Sequence, residues 1–258
     1  MPLTSEINGR QIGYQTGSGG LRPGLTNLIL IHGSGGTRED WTYQLEGLDQ
    51  DLNVIALELP GHGLSDGPLP PTVAEYAAWT AGVIQAWDLP KKPLVAGHSL
   101  GGAICIELGL TRPELLSGLV IIGSGARLAV NPALFEGLAK DFSATVGLAV
   151  KWSFAKGADP VLVQEAQKHL LKNRPETVIN DFRACDLYDR RPDVGRIALP
   201  VLAVCGLQDK MTPPALSEFL NRQIPGSKLE LIDQAGHMVL IEQPARLNQA
   251  ILEFARGL

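Results

Sequence analysis

The chain has 258 residues, of which 45% are hydrophobic and 19% charged, and its formal net charge is −5. These values are typical of a globular protein with a sizeable core and exclude a mostly disordered chain. The acidic balance argues against a nucleic-acid partner, and no apolar run reaches the roughly 18 residues of a membrane-spanning helix. The polar N-terminus and three cysteines without a C-x-x-C pair predict a cytoplasmic protein with reduced thiols and no metal site.

The predicted elements alternate between strands and helices. The chain opens with a hairpin, because Asn8-Gly9 separates two runs of alternating polarity. Six short apolar runs, which begin at residues 27, 53, 93, 118, 200 and 228, indicate strands buried on both faces. Helical segments are predicted over 39–48, 73–87, 100–110, 213–224 and 244–254. This order predicts an α/β fold with a doubly wound, mostly parallel sheet.

The interval from residue 123 to residue 199 contains no convincing strand, and its composition is helical. A structureless loop of that length is improbable in a compact domain, and ligands bind at the carboxyl ends of parallel strands. We therefore expect a core built from residues 1–123 and 200–258, with a helical lid inserted over 124–199. Most apolar side chains of this insertion are expected to pack the lid onto the sheet: Leu128, Phe135, Leu138, Phe142, Val146, Leu148 and Trp152.

The pattern G-x-S-x-G, which can mark a nucleophilic serine, occurs twice. The first copy, at residues 63–67, is followed by a Pro-rich stretch that cannot open a helix, so Ser65 is predicted to lie in a loop. The second copy, at residues 97–101, follows a buried strand and precedes an apolar helix. A strained strand-to-helix turn there would expose Ser99 as the nucleophile, next to a helix N-terminus that favours developing negative charge.

A serine hydroxyl needs a base and an orienting acid. His237 is the best candidate for the base, because it lies on a loop after the last predicted strand. His32 and His62 lie in Gly-rich turns, where a structural role is expected. His98 is expected to point away from the pocket, and His169 is expected to face solvent. Asp209 follows a buried strand and is the best acid. The competing carboxylates are expected to shape a turn or to lie on the surface: Asp233, Asp186, Asp189 and Asp193.

Five segments together resemble the α/β-hydrolase family: HGSGG at 32–36, ELPGHGLSDG at 58–67, GHSLGG at 97–102, GLQDKMTPP at 206–214 and AGHMVLIEQP at 235–244. The resemblance covers nearly the whole chain and implies a catalytic triad of Ser99, Asp209 and His237. It also implies an oxyanion hole made by the backbone N–H groups of Ser34 and Leu100. Glu58 is a departure, since the family more often has Asp before that turn.

The expected activity is hydrolysis of small-molecule carboxylic esters through an acyl-enzyme, with no metal or organic cofactor. An enol-lactonase or a carbon–carbon bond hydrolase remains the alternative within enzymes, although similar carbon–carbon hydrolases carry Pro in the loop that reads Gly33-Ser34-Gly35-Gly36 here. A peroxide-using relative or a small-molecule receptor with vestigial hydrolysis is also compatible with the resemblance. The sequence leaves the natural substrate, the acyl-chain preference and the oligomeric state open.

Overall fold

A computed structural model describes residues 2–258, and its centre is one eight-stranded sheet. The strands are β1 (Pro2–Ile7), β2 (Arg10–Thr16), β3 (Thr26–Ile31), β4 (Leu52–Leu57), β5 (Leu94–His98), β6 (Gly118–Ile122), β7 (Val201–Gly206) and β8 (Lys228–Ile232). Asn8 and Gly9 join β1 to β2 with φ values of +53° and +73°, so the predicted hairpin is confirmed.

The strand order across the sheet is β1-β2-β4-β3-β5-β6-β7-β8. The pairs β1–β2 and β2–β4 are antiparallel, and the six strands from β4 to β8 pair in parallel. The carboxyl ends of the parallel strands therefore meet along one edge, where a doubly wound sheet places its ligand site. β8 lies at the sheet edge and is only partly buried, so the prediction that it is covered on both faces is wrong.

Ten α-helices occur in the described residues, together with short 3₁₀ turns at Arg38–Trp41, Pro113–Leu115 and Val194–Arg196. The helices are α1 (Thr42–Gly47), α2 (Val73–Trp87), α3 (Leu100–Thr111), α4 (Pro132–Lys140), α5 (Phe142–Ser153), α6 (Pro160–Leu170), α7 (Pro175–Asp186), α8 (Pro214–Gln223), α9 (Val239–Glu242) and α10 (Pro244–Ala255). No helix of residues 2–258 is both long and apolar enough to cross a membrane.

Helices cover both faces of the sheet because successive side chains of each strand point to opposite faces. Ile29 and Ile31 of β3 join a buried cluster with α2 and α3, whereas Leu28 and Leu30 join a second cluster with α1 and α10. All four side chains are fully buried. The continuous apolar runs of the sequence are thus explained by two cores, one on each side of the sheet.

Four helices, α4 to α7, lie between β6 and β7, and we call them the inserted helices. They share an apolar cluster of their own around Leu138, Val146 and Val150. Leu148 and Trp152, on the opposite side of α5, are exposed by 67% and 64%, so the expectation that they pack the insertion onto the sheet is wrong. Their exposure follows from the helical period, which turns residues 148 and 152 away from the buried stripe at 146 and 150.

Candidate active site

Ser99 occupies a sharp turn between β5 and α3, with backbone angles of φ +53° and ψ −113°. Such a conformation is costly for a residue with a Cβ, and it persists only where the surroundings enforce it. The flanking glycines are required by close backbone contacts. A Cβ at Gly97 would overlap the carbonyl of Gly101, and one at Gly101 would overlap the carbonyl of Ile31. The turn presents Ser99 at the carboxyl edge of the sheet and at the N-terminus of α3.

His237 and Asp209 meet at the same edge, on the loops that follow β8 and β7. His237 Nδ1 lies 2.9 Å from Asp209 Oδ2, and both side chains are buried. The backbone N–H groups of Met211 and Thr212 donate to Asp209 Oδ1 at 2.8 and 2.9 Å. A carboxylate only accepts hydrogen bonds, so the proton between the two side chains belongs to Nδ1, which leaves Nε2 of His237 able to accept a proton.

The environment of Asp209 favours its charged form. Burial works to raise the pKa of this carboxyl, but the neighbouring His237 and the hydrogen bonds from His237 and Thr212 outweigh burial, so the pKa of Asp209 lies below its ordinary value of 3.8. Asp209 therefore remains a carboxylate at neutral pH and can hold the imidazole of His237 in one tautomer.

Thr212 completes this group, and the sequence reasoning did not identify it. Its Oγ1 lies 2.7 Å from Asp209 Oδ2 and 3.0 Å from His237 Nδ1. The only sequence signal is its position three residues after the predicted acid, where a side chain can fold back over the same turn. Thr212 is thus placed to orient the pair.

Ser99 and His237 line one cavity of about 90 Å³. In residues 2–258 the Ser99 hydroxyl makes no hydrogen bond to the imidazole of His237, and in unliganded enzymes such bonds commonly tighten only when substrate binds. Several apolar side chains also line this cavity: Val150, Ala166, Leu170, Phe182 and Met238. Four of these five come from the inserted helices, which therefore provide much of the cavity wall.

The backbone N–H groups of Ser34 and Leu100 are the predicted oxyanion donors. Neither amide has a hydrogen-bond partner within the described residues, whereas the adjacent amide of Gly35 donates to Asp181 Oδ2 at 2.8 Å. The Ser34 loop also approaches the serine closely, since a Cβ built at Gly33 would lie 3.2 Å from the Cβ of Ser99. Both N–H groups are therefore free to donate a hydrogen bond to a ligand oxygen.

The remaining histidines differ from the expectations in two cases. His98 lines the same cavity instead of pointing away, and its Nε2 bonds to the carbonyl of His237 at 2.9 Å. Burial, followed by the neighbouring His237, lowers the pKa of His98 to about 3. His169 does not face solvent freely, because its Nε2 lies 3.0 Å from Thr37 Oγ1 and its Nδ1 lies 3.1 Å from Glu39 Oε2.

Asp181 on α7 is a buried carboxylate that the sequence reasoning missed. It accepts hydrogen bonds from Gly35 N at 2.8 Å and Tyr76 Oη at 2.6 Å, and it meets His62 Nε2 at 2.9 Å. Burial alone would lower the pKa of His62, but Asp181 raises it above the ordinary value. The available signal was helical periodicity, since Asp181 shares the buried stripe of α7 with Val178 and Cys185.

The first G-x-S-x-G copy, at residues 63–67, has a structural role, in line with its predicted place in a loop. Ser65 lies in a loop, where its Oγ donates to the carbonyl of Glu58 at 2.7 Å and accepts from Gly13 N at 2.8 Å. The Glu58 side chain pairs with Arg38 and accepts from Leu64 N at 2.7 Å. Glu58 therefore stabilises the loop that carries Ser65 through these hydrogen bonds. It does not line the cavity of Ser99.

The competing carboxylates do not reach His237. Asp233 is exposed, and its Oδ1 accepts from the backbone N–H of Gln234 at 2.8 Å, as expected for a turn residue. Asp189 pairs with Arg191 on the surface, and Asp193 pairs with Arg196. Within residues 2–258, no group of three or more His, Cys, Asp or Glu side chains is arranged to hold a metal ion.

Comparison with known proteins agrees with this architecture. Residues 28–250 match the alpha/beta hydrolase family. The chain is 31% identical to the dihydrolipoyllysine-residue acetyltransferase component of the acetoin cleaving system of Pseudomonas putida, over 99% of this chain and 69% of that protein. It is 27% identical to a pimeloyl-[acyl-carrier protein] methyl ester esterase of Neisseria meningitidis serogroup B, over 90% of this chain and 94% of that one.

A solved structure of a thermophilic esterase has a TM-score of 0.88 and 31% sequence identity, and the match covers 100% of this chain and 98% of that structure. The esterases among these relatives support a hydrolase activity of the esterase type. With a family match that spans most of the sheet, its crossover helices and the loops that carry Ser99 and Asp209, this chain belongs to the alpha/beta hydrolase family.

Proposed function

We propose that this protein is a serine hydrolase that cleaves carboxylic esters through an acyl-enzyme. The observation that carries the proposal is the 2.9 Å contact between His237 Nδ1 and Asp209 Oδ2, which leaves Nε2 of the imidazole free at the wall of the cavity that Ser99 lines. A serine, a base and an acid in these roles are what acyl transfer to a hydroxyl requires.

In the proposed mechanism, Ser99 Oγ attacks the ester carbonyl while His237 Nε2 takes the hydroxyl proton. The unpartnered amides of Ser34 and Leu100 then donate to the oxyanion of the tetrahedral intermediate. The intermediate collapses, the ester C–O bond breaks, and His237 returns the proton to the leaving alcohol. Asp209 stabilises the imidazolium and remains ionised, because its pKa is lowered.

The second half of the reaction repeats these steps with water. His237 Nε2 accepts a proton from a water molecule that attacks the acyl carbon, and the carboxylic acid leaves as Ser99 recovers its proton. Every proton moves between oxygen and Nε2, so the cycle requires no other reactant. No metal or organic cofactor takes part in this proposal.

The size of the cavity favours a small acyl group. Its volume of about 90 Å³ lies below the usual range for small-molecule sites, roughly 300–1,000 Å³. The apolar wall made by Val150, Leu170 and Phe182 suits an aliphatic chain of a few carbons, and no lysine or arginine of residues 2–258 lines the cavity. We therefore propose short-chain esters as the substrate class, and lactones, as cyclic esters, belong in the same assay.

The decisive experiment compares Asp209→Asn with Asp233→Asn in the hydrolysis of p-nitrophenyl acetate. Both changes replace a carboxylate by an amide, and Asp233 is the nearer of the two to His237 in the sequence, but only Asp209 contacts the imidazole. Asp209→Asn is expected to lower kcat by about 10⁴, the effect of the equivalent change in a serine protease triad. Asp233→Asn is expected to keep kcat near that of the unmodified chain, and the reverse ranking would refute the assignment of the acid.

A second experiment identifies the nucleophile directly. A phosphonate inhibitor should modify Ser99 and leave Ser65 unmodified, because the buried Ser65 hydroxyl already donates to the carbonyl of Glu58 and accepts from the N–H of Gly13. Mass spectrometry of the labelled peptides distinguishes the two serines. Label on Ser65, or steady turnover by a folded Ser99→Ala variant, contradicts the proposed mechanism.

A further inference from the structure

A second cavity, of about 510 Å³, lies outside the candidate active site, beside the end of α5 and the start of α6. Three lysines line it: Lys151, Lys156 and Lys210. The other lining side chains are mostly apolar: Phe154, Ala155, Ala158, Pro160 and Val163, with Gln164 as the polar exception. The proposed ester hydrolysis uses none of these side chains.

The positive charge around this second cavity is unbalanced. All three lysines are exposed, and in residues 2–258 no carboxylate oxygen lies within 4.0 Å of their ammonium groups. By contrast, Lys168 and Lys172 of the same inserted region pair with Glu165 and Glu39. The three exposed lysines therefore give this cavity a local positive charge in a chain whose net charge is −5.

Two carboxylates close to this cavity are engaged elsewhere. Asp159 caps α6, where its Oδ1 accepts from Val161 N at 2.8 Å. Glu242 accepts from the backbone N–H groups of Ala155 and Gly236 at 2.7 and 2.8 Å. Neither forms an ion pair with one of the three lysines, so the ammonium groups are available for direct contact with a ligand.

We propose that the second cavity binds an amphipathic anion, namely a carboxylate with an aliphatic chain of medium length. The floor around Phe154 and Val163 can bury the chain, and the ammonium groups at the rim can pair with the head group. A volume of about 510 Å³ lies within the usual range for small-molecule sites, roughly 300–1,000 Å³.

The position of this cavity connects it to the candidate active site. The carbonyl of Ser153, just before the lining residue Phe154, accepts the backbone N–H of His237 at 2.6 Å. On the other side, Lys156 N donates to Gln208 Oε1 at 3.0 Å, and Lys210 directly follows Asp209. A ligand in the second cavity therefore contacts both segments that hold the Asp209–His237 pair, and we expect it to protect residues 153–164 and 206–212 from amide hydrogen exchange.

The test titrates the complete chain with sodium octanoate at low ionic strength by isothermal calorimetry. We expect one saturable site, and we expect the triple variant Lys151→Ala/Lys156→Ala/Lys210→Ala to weaken binding about tenfold or more, the sum of three exposed ion pairs of ordinary strength. Lys92→Ala is the matched control, because this exposed lysine lies just before the amino end of β5, whereas Lys210 of the second cavity follows the carboxyl end of the parallel strand β7. It should leave the Kd unchanged, and uncharged octan-1-ol should bind more weakly than octanoate.

The three lysines are exposed, so their replacement should preserve the fold, which near-UV circular dichroism checks. Absence of saturable binding up to about 10 mM octanoate overturns the proposal. An equal Kd in the triple variant and the unmodified chain overturns it as well, because octanoate would then occupy another place, such as the cavity of Ser99. Since binding is measured without substrate, the result is independent of the proposed ester hydrolysis.

Discussion

The hydroxyl of Thr212 donates to Asp209 Oδ2 at 2.7 Å, on the same oxygen that His237 Nδ1 contacts at 2.9 Å. Two donors therefore converge on one carboxylate oxygen, while the backbone amides of Met211 and Thr212 hold the other. This arrangement limits rotation of the carboxylate and so defines the plane in which it can meet the imidazole.

We predict that Thr212→Val lowers kcat for p-nitrophenyl acetate by about tenfold and leaves KM nearly unchanged. The variant keeps the shape of the side chain but removes a hydrogen bond to a charged group, worth about 1.5–3 kcal/mol. Thr212→Ser retains the hydroxyl and should restore most of kcat. If Val and Ser at this position give the same kcat, the hydroxyl does not orient the pair.

We predict that Ser34→Ala keeps kcat within about tenfold of the unmodified chain. The proposed donor at this position is the backbone N–H, and the Ser34 hydroxyl makes only a weak contact with Cys185 Sγ, at 3.7 Å. Loss of a true oxyanion donor costs about 10²–10³ in kcat. A loss of that size in Ser34→Ala, with the circular dichroism spectrum unchanged, would assign the contact to the hydroxyl instead.

We predict that Leu170→Ala shifts the preference from acetyl towards butyryl and hexanoyl esters. Leu170 lines the cavity of Ser99, and its truncation enlarges a space of only about 90 Å³. The ratio of kcat/KM for the hexanoyl and acetyl esters measures the shift. Trp152→Ala is the control, since this large side chain of the inserted helices is 64% exposed and absent from the cavity wall. An unchanged ratio in Leu170→Ala would exclude Leu170 from the acyl site.

We predict that His98 makes the fold sensitive to acid. Its pKa is about 3 in the folded protein, against an ordinary value of 6.5, because burial disfavours the charged ring. Between these two pH values the unfolded chain binds more protons at this position, so stability falls as the pH decreases from 6.5 towards 3, by up to about 1.4 kcal/mol per pH unit.

His98→Gln keeps an N–H group that can donate to the carbonyl of His237 but cannot be protonated in this range. Urea unfolding at pH 7 and pH 4.5 should therefore show a smaller acid-induced loss of stability in His98→Gln than in the unmodified chain. Equal losses in the two proteins would show that other groups cause the acid sensitivity.

The local geometry around Ser99 could be predicted from the sequence. Gly97 and Gly101 each lie so close to another backbone segment, within the turn or in the adjacent strand, that a Cβ would clash. The meeting of Asp209 and His237 could be predicted as well. Both follow parallel strands that are neighbours in the sheet, so both emerge at the same edge. Their roles in catalysis stay a prediction that the variants above test.

The hydrogen bonds that Thr212, Asp181 and His169 make around the candidate active site could not be predicted in the same way. A threonine in a loop, an aspartate in a polar-looking helix and a lone histidine are ordinary surface residues unless their partners are known. Asp181 bonds to groups 105 to 146 positions away in the chain, and His169 bonds to Thr37 at a separation of 132. The buried stripe of α7 marks Asp181 as facing inward, but contacts at such separations leave no sequence signal of which residues they join.

The sequence by itself determined the α/β class, the hairpin at Asn8-Gly9 and the turn at Ser99, because apolar runs and glycines act through steric limits on neighbouring residues. Only the tertiary structure decided which side of α5 faces the cavity, that Thr212 contacts the Asp209–His237 pair, and where Lys151, Lys156 and Lys210 converge. These features depend on the packing of segments that are distant in sequence, where burial and charge are set by partners that a linear pattern does not specify.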